Sequence, residues 1–156
     1  MELENFEIYK ATENDLSLIE DLIKGLATYE KRPQDVTGTR EMLKYWLLDR
    51  KIATTLIAKL GDTVVGYALY YPVFGSFSAL GKIHIEDLFL KKEYRGKGLG
   101  KQLFLGVAKQ AKSEGFSAME WSCLDWNTPS IAFYEKIGAE LETGRKYFEF
   151  SLENID

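Results

Sequence analysis

Cysteine and histidine are almost missing from this chain of 156 residues, which has one of each, Cys123 and His84. A single cysteine excludes an internal disulfide and a thiolate metal cluster. A single histidine excludes a multi-histidine centre, so no metal is expected. Proline is scarce at three residues, and no linker, repeat or low-complexity stretch interrupts the chain, so residues 1–156 are expected to form a single domain. No apolar run approaches the roughly 18–20 residues of a membrane span, and no membrane partner is expected. The first residues, Met1-Glu-Leu-Glu-Asn5, are acidic where a secretory leader is basic and then apolar. A cytoplasmic location is the expectation.

Positive charge is also in short supply, with 20 Lys and Arg against 24 Asp and Glu and a formal net charge of −4. Nucleic-acid binding leans on clustered cations against phosphates, so no nucleic-acid partner is expected, and a cationic small molecule suits the chain better. Apolar and aromatic residues are plentiful: 46% of the chain is hydrophobic, with nine Phe, nine Tyr and three Trp. Such a supply fills a core or lines an aromatic pocket.

The apolar pattern sets the element order. Phe6 and Ile8 alternate with Glu7 and Tyr9 as a first strand. Thr12 followed by Asp15 is a capping-box pattern, and Leu16, Ile19, Leu22, Ile23 and Leu26 then form a helical stripe ending before Pro33. A second helix is predicted from Thr39 to about Leu48, with Met42, Leu43, Trp46 and Leu47 on one face. Strands follow at Ile52–Leu60 and Thr63–Tyr71, and then a loop at Pro72–Ala79. A strand at Lys82–Leu90 leads through a Gly-rich turn into a helix from about Gly98 to Glu114. Ser117–Cys123 is a fifth strand, with Cys123 expected as inert core. A short helix starts near Asn127 or Thr128 with Pro129 at its first position and Gly138 at its end. The tail from Glu140 to Leu152 is predicted to add a final hairpin pair. This order describes an α/β protein with a mixed sheet between helices.

The turn Arg95-Gly96-Lys97-Gly98-Leu99-Gly100 joins strand to helix. Glycines let the backbone curl its N–H groups around an anion, and the helix adds the positive end of its dipole. Lys97 or Lys101 adds charge. The third glycine comes one residue early for a dinucleotide-binding G-x-G-x-x-G, and Gln102 stands where a Walker loop needs Ser or Thr. Neither spacing fits, so the turn reads either as a site for another phosphorylated ligand or as a plain strand–helix corner with an exposed basic cluster.

Two motifs together carry a resemblance. Arg95-x-x-Gly98-x-Gly100 matches the pyrophosphate motif [QR]-x-x-G-x-[GA] of the GNAT superfamily of N-acetyltransferases. Asn127, Ser130, Phe133, Tyr134, Lys136 and Gly138 match that superfamily's N-x-x-[AS]-x-x-[FL]-Y-x-[KR]-x-G. Tyr29-Glu30, Glu86-Asp87-Leu88-Phe89-Leu90 and Trp126-Asn127-x-Pro129-Ser130 further resemble the spermidine/spermine and thialysine acetyltransferase branch. The resemblance implies a GNAT fold, with a mostly antiparallel sheet of six to seven strands, about four helices, and a splayed central strand pair holding acetyl-coenzyme A. It also implies a homodimeric enzyme that acetylates a small amine. The coenzyme contacts it implies are Leu88, Phe89 and Leu90 for the pantetheine arm, Arg95 to Lys101 (with Gly96, Lys97, Gly98, Leu99 and Gly100) for the pyrophosphate, and Asn127, Pro129, Ser130 and Tyr134 beyond. Asn127 reads equally as a plain helix cap.

Acetylation of an amine needs a neutral nucleophile, a polarised thioester and a proton for the departing thiolate. With an amine pKa near 10, only about one molecule in a thousand is neutral at pH 7, so a base helps. Glu86 is the candidate base. In a strand of period two it shares a face with His84, Leu88 and Leu90, and Asp87 points the other way. His84 competes for the role, but a lone strand histidine beside a carboxylate is expected to be structural. Tyr134 matches the tyrosine that acts as general acid toward the thiolate in the family.

The same branch places its amine against Tyr29, Glu30, Glu86, Glu120, Trp121 and Ser122, where carboxylates and aromatic faces receive a cation. The segment Ala139–Tyr147 is shorter and more basic than its counterpart in polyamine enzymes, which leaves small diamines and lysine-like amino acids open beside polyamines. Two other functions fit the motifs: acetylation of a protein lysine or N-terminus, and acyl-coenzyme A sensing without catalysis. The bulky loop Phe74–Phe77 speaks against the first, and the pair Glu86 and Tyr134 against the second.

Overall fold

A computed structural model describes residues 5–155. Met1 to Glu4, which carry most of the acidic start read above, lie outside the described residues. The chain divides into two compact units, Met1–Ser122 and Cys123–Asp156.

The first unit is built on a sheet of five strands in the order β1 (Phe6–Lys10), β2 (Thr54–Leu60), β3 (Thr63–Gly75), β4 (Leu80–Leu90) and β5 (Met119–Trp121). The first four pair antiparallel and β5 runs parallel to β4. Helix α3 (Leu99–Ser113) supplies the long crossover that a parallel pair requires. The mixed, mostly antiparallel sheet is as expected, but it has five strands and not six or seven. Its shortfall traces to the tail. Residues 139–150 form no strand, only a 3₁₀ turn follows at Leu152–Asn154, and Tyr147, Phe148 and Phe150 are 86%, 93% and 74% exposed. Strand-type residues make a strand only where a ladder partner exists, and none pairs with this stretch among the described residues.

Helix α1 (Leu16–Tyr29) starts as its capping pattern predicts, with the Asp15 carboxylate accepting the Thr12 N–H at 2.8 Å after a 3₁₀ turn at Glu13–Asp15. Its Ile19 and Leu22 pack with Ile57, Tyr67, Leu69 and Phe89 on one face of the sheet. On the other face, Leu99, Leu103, Val107 and Ala111 of α3 meet Leu56, Ala58, Ala68, Ile83 and Ile85. Each large apolar side chain buried there contributes roughly 1.5–3 kcal/mol.

Helix α2 (Arg40–Leu43) opens with Thr39 Oγ1 accepting the Met42 N–H and runs into a π-helical turn at Lys44–Asp49. Leu43 and Leu47 pack on the α1 face, whereas Met42 and Trp46, expected beside them, are largely exposed. The i, i+4 pair is enough to hold the face, and each neighbour sits about 100° round the helix from it. Strand β3 continues through Pro72 to Gly75, so the predicted loop shrinks to four residues, 76–79. The last rung between β2 and β3 is Thr54↔Tyr70, and beyond it β3 has a strand on one side only, where proline's missing N–H breaks no ladder bond. Strand β5 is three residues long, and Cys123 lies past its end and is exposed, contrary to the core position expected. In the second unit, helix α4 (Thr128–Lys136) is capped by Asn127, whose Oδ1 accepts the Ser130 N–H at 3.4 Å, with Pro129 in its first turn.

Candidate active site

Strand β4 carries a β-bulge, and Glu86 is the residue it leaves out of the ladder. Leu69 pairs with Asp87 and the next residue, Tyr70, pairs with Ile85. A bulge reverses the alternation of faces beyond it. Leu88 and Leu90 consequently join Ile83 and Ile85 on the α3 face, while Phe89 packs on the α1 face with Tyr67. The predicted grouping of Glu86 with Leu88 and Leu90, and of Asp87 opposite Glu86, is therefore corrected. Glu86 and Asp87 both reach tyrosines of the same β3 face: Tyr71 donates to Glu86 Oε2 at 3.2 Å, and Tyr67 donates to Asp87 Oδ2 at 2.8 Å.

Around Glu86 the first unit assembles a polar cluster. His84 stacks on Tyr71 with ring centroids 5.1 Å apart. Its Nδ1 lies 3.1 Å from Glu120 Oε2, and its Nε2 lies 3.9 Å from Glu86 Oε2. The parallel rung His84↔Glu120 places that carboxylate beside the ring. Burial raises the Tyr71 hydroxyl above its ordinary value, and the charges of Glu86 and Glu120 add to the effect.

Asp87 is the deeper carboxylate. Burial pushes its pKa up to about 6 despite the hydrogen bond from Tyr67, and the charges of Glu86 and Glu30 push the same way. The Tyr67 hydroxyl is raised well above its ordinary value, first by its own burial and then by Asp87. Glu30, just past the end of α1, is thus within electrostatic reach of Asp87 and Tyr67. The folded protein binds the Asp87 proton more tightly than the unfolded chain, whose aspartate titrates near 3.9. Stability from this group therefore falls as pH rises from about 4 through 6 and stays reduced above. Asp87→Asn is expected to stabilise the fold at pH 7 by about 1–2 kcal/mol, or about 3–6 °C in Tm, with the gain vanishing by pH 4. Thermal melts of both proteins at pH 4 and 7 check this, and a variant less stable at pH 7 would contradict the buried-charge account.

Beyond the rung Ile85↔Trp121, β4 runs on to Leu90 with β3 as its only strand partner among the described residues. The backbone of Glu86 to Leu90 therefore has no strand paired on its second edge among the described residues. At the end of β4 the Arg95 Nε donates to the Leu90 carbonyl at 2.9 Å, and its guanidinium lies 4.4 Å over the Tyr29 ring and 5.5 Å over Phe89. Arg95 thus ties the end of α1 to the end of β4, which gives Tyr29 a positioning contact. The turn itself is exposed, with Gly96 at φ +75° and Gly98 at φ +81° as the N-cap of α3. No side chain caps this 15-residue helix. Its first N–H groups have no intrahelical acceptor and point at the turn, with Lys97 and Lys101 exposed beside them and Gly100 in the first turn. Leu99 is fully buried in the core, so only its backbone is available to a ligand.

Of the remaining sequence candidates, Trp121 packs edge-to-face on Phe104 of α3 at 5.4 Å, on the sheet face away from the His84–Glu86 cluster. Ser122 is exposed just past β5. Asn127, Pro129, Ser130 and Tyr134 belong to the second unit, where Asn127 is seen to act as the cap and the Tyr134 ring lies 5.7 Å from that of Phe133. Sequence reasoning missed Tyr71, Tyr67 and Asp87 as site members and treated His84 as structural. One signal was available: the apolar steps 83, 85, 88, 90 skip a beat at Glu86-Asp87, as a bulge requires. Among the described residues, no group of three or more His, Cys, Asp or Glu side chains is placed to hold a metal ion, and no helix is long and apolar enough to cross a membrane.

A strand edge without a second strand partner leads to a glycine-built helix start with no side-chain cap, which offers backbone groups to an extended, anionic ligand. Residues 19–139 match the acetyltransferase (GNAT) family, and the chain belongs to that family. It is an N-acetyltransferase. Over 142 residues it is 34% identical to the thialysine N-epsilon-acetyltransferase of Bos taurus, covering 85% of this chain and 83% of that one. An L-ornithine N5-acetyltransferase of Arabidopsis thaliana is 46% identical over 84 residues, which is 53% of this chain and 37% of that protein. The crystal structure of an aminoglycoside acetyltransferase from an uncultured soil metagenomic sample superposes with a TM-score of 0.81 at 21% identity, over 97% of this chain and all of that one. That likeness shows the fold.

Proposed function

We propose that this enzyme transfers the acetyl group of acetyl-coenzyme A to the primary amine of a small cationic acceptor by direct attack in a ternary complex. The observation that carries the reading is the β4 bulge, which sets Glu86 beside Asp87 on one face, with Glu120 on the far side of the His84 ring. Asp87 and Glu120 beside that base, with Glu30 acting on Asp87 electrostatically, are a receptor for a second cationic group on the acceptor. The relatives' names, which include ornithine and thialysine acetyltransferases, support an acceptor with a side-chain amine, and diamines and polyamines share that chemistry.

The residues divide the work. The α3 N-terminus, with Gly96, Gly98, Lys97 and Lys101, would hold the pyrophosphate. The open edge at Leu88–Leu90 would pair with the pantetheine arm, and an amide there would donate to the thioester oxygen. Glu86 takes the amine proton, and Tyr134 returns a proton to the thiolate. A homodimer with a cytoplasmic location is the accompanying proposal.

Release of free coenzyme A, measured across ornithine, lysine, thialysine, putrescine and spermidine, tests the reading. Turnover is expected with at least one amino acid or diamine, and Tyr134→Phe is expected to lower kcat by about 10–100-fold with the Kd for acetyl-coenzyme A within about twofold. Tight coenzyme binding with no release from any amine would leave a sensor, and unchanged kcat in Tyr134→Phe would remove that residue from the mechanism.

A further inference from the structure

We propose that His84 is a positioning and proton-relay residue behind Glu86: its ring, fixed by Glu120 and Tyr71, receives the amine proton from the Glu86 carboxylate and passes it to solvent. This rests on the acetyl-transfer reading above.

The geometry defines the tautomer. Glu120 Oε2 lies 3.1 Å from Nδ1, and a carboxylate can only accept, so Nδ1 carries the imidazole proton. Nε2 then presents a lone pair toward Glu86 Oε2 at 3.9 Å. Two acceptors face one another across a gap that is one proton short. Tyr71 occupies the other side of the same oxygen with its hydroxyl donated at 3.2 Å, and its ring stacks on the imidazole at 25° between planes. The ring is therefore held on a face and at one nitrogen, leaving the second nitrogen aimed at the base. A carboxylate orienting an imidazole that serves a proton-transfer partner is a recurrent catalytic arrangement. The side chain is 22% exposed, enough for exchange with water.

The stoichiometry asks for such an exit. An ammonium acceptor enters with one proton more than the nucleophile can keep. Glu86 accepts that proton, and the amine's lone pair is freed. The Glu86 carboxyl passes the proton to His84 Nε2, and Glu120 stabilises the resulting imidazolium. The C–N bond forms, the C–S bond breaks, and the second nitrogen proton ends on the thiolate. One proton per turnover is left over, and it departs from the imidazolium. An imidazole is suited to this because its ordinary pKa, near 6.5, lets it take and release a proton at neutral pH. The charged and titratable groups facing the ring are Glu86 on β4, Glu120 on β5 and Tyr71 on β3, with Asp87 next to Glu86 in the chain.

His84→Phe keeps a ring to stack on Tyr71 and removes both nitrogens. Its kcat/KM for thialysine or ornithine is expected to fall about 10–30-fold at pH 7 and to recover to within about threefold at pH 9.5, where the amine increasingly sheds its own proton. The Kd for acetyl-coenzyme A is expected to stay within about twofold. A loss of equal size at both pH values would assign His84 a packing role and overturn the relay, and so would no loss at all. Because His84 is the chain's only histidine, the ¹⁵N shifts of its ring report the tautomer without further labelling choices. The Nδ1–H tautomer is expected in the wild type, where Glu120 accepts from Nδ1. An Nε2–H tautomer would overturn the proposal even if His84→Phe failed to fold. A wild type that acetylates none of the amines sinks the underlying reading, an outcome distinct from an active wild type with an indifferent His84→Phe.

Discussion

Glu86→Gln is expected to lower kcat/KM for the amine by about 10²–10³-fold at pH 7, while the Kd for acetyl-coenzyme A stays within about twofold. The size follows from the role, since removing a positioned general base from a proton transfer typically costs 10²–10⁴-fold. The lower part of that range applies here because the site keeps other carboxylates, Glu120 and Asp87, whose charges still favour a cation. Folding should be little affected. Glu86 is more than half exposed, it is the residue outside the ladder, and glutamine can still accept the Tyr71 hydroxyl at the same oxygen. Steady-state kinetics between pH 6 and 10 check the assignment, with the deficit expected to shrink as the amine approaches its own pKa near 10. A loss confined to KM for the amine, with kcat intact, would make Glu86 an electrostatic receptor and move the base elsewhere. Glu30→Gln is the comparison: it sits at the rim on α1 and should change the amine's KM more than kcat.

Much of this site rests on one irregularity. A regular β4 would have turned Glu86 and Asp87 to opposite faces and put Asp87 in line with Ile83 and Ile85. The bulge instead gives two adjacent carboxylates to one face and lets Leu88 and Leu90 return to the core beside α3. Asp87 is the more costly of the pair, being buried enough for its pKa to rise to about 6. A group held at a cost to folding is more easily explained by a task than by packing.

How far the sequence foretold this depends on the kind of signal. The stripe of α1 was legible because the helical spacing of Ile19 and Leu22 leaves one face to bury. The glycine turn was legible because Gly96 and Gly98 take positive φ, which few other residues tolerate. The bulge was less so: the skipped beat in the apolar steps of β4 hints at it, but only the count of β3 against β4 places the extra residue. Nor could Tyr67 and Tyr71 be assigned to Asp87 and Glu86 before the β3–β4 register was known. The tail failed for a related reason: Tyr147, Phe148 and Phe150 have strand propensity, yet propensity does not supply a partner strand. Trp121 was grouped with Glu120 and Ser122 by resemblance, which does not say that its ring packs on Phe104 on the α3 side of the sheet.

Gly98→Val is expected to weaken acetyl-coenzyme A binding by about 100-fold, the largest effect on the donor side. Gly98 is the N-cap of α3 at φ +81°, and a Cβ there would meet nothing within 4 Å. Space is therefore not the obstacle; the backbone is. A β-branched residue at positive φ costs about 1–3 kcal/mol, so the turn would relax toward negative φ and swing the first α3 amides away from their common focus. Any valine that did hold the native angle would place its methyl groups where phosphate oxygens must approach the backbone. Gly61 provides the control, since it stands at φ +61° in the β2–β3 turn, again with nothing within 4 Å of a Cβ. Gly61→Val and Gly98→Val should lose similar stability in thermal melts, whereas calorimetric titration with acetyl-coenzyme A should register a loss for Gly98→Val alone. Equal affinities in the two variants would mean that the turn is a structural corner and that the pyrophosphate is held by other groups.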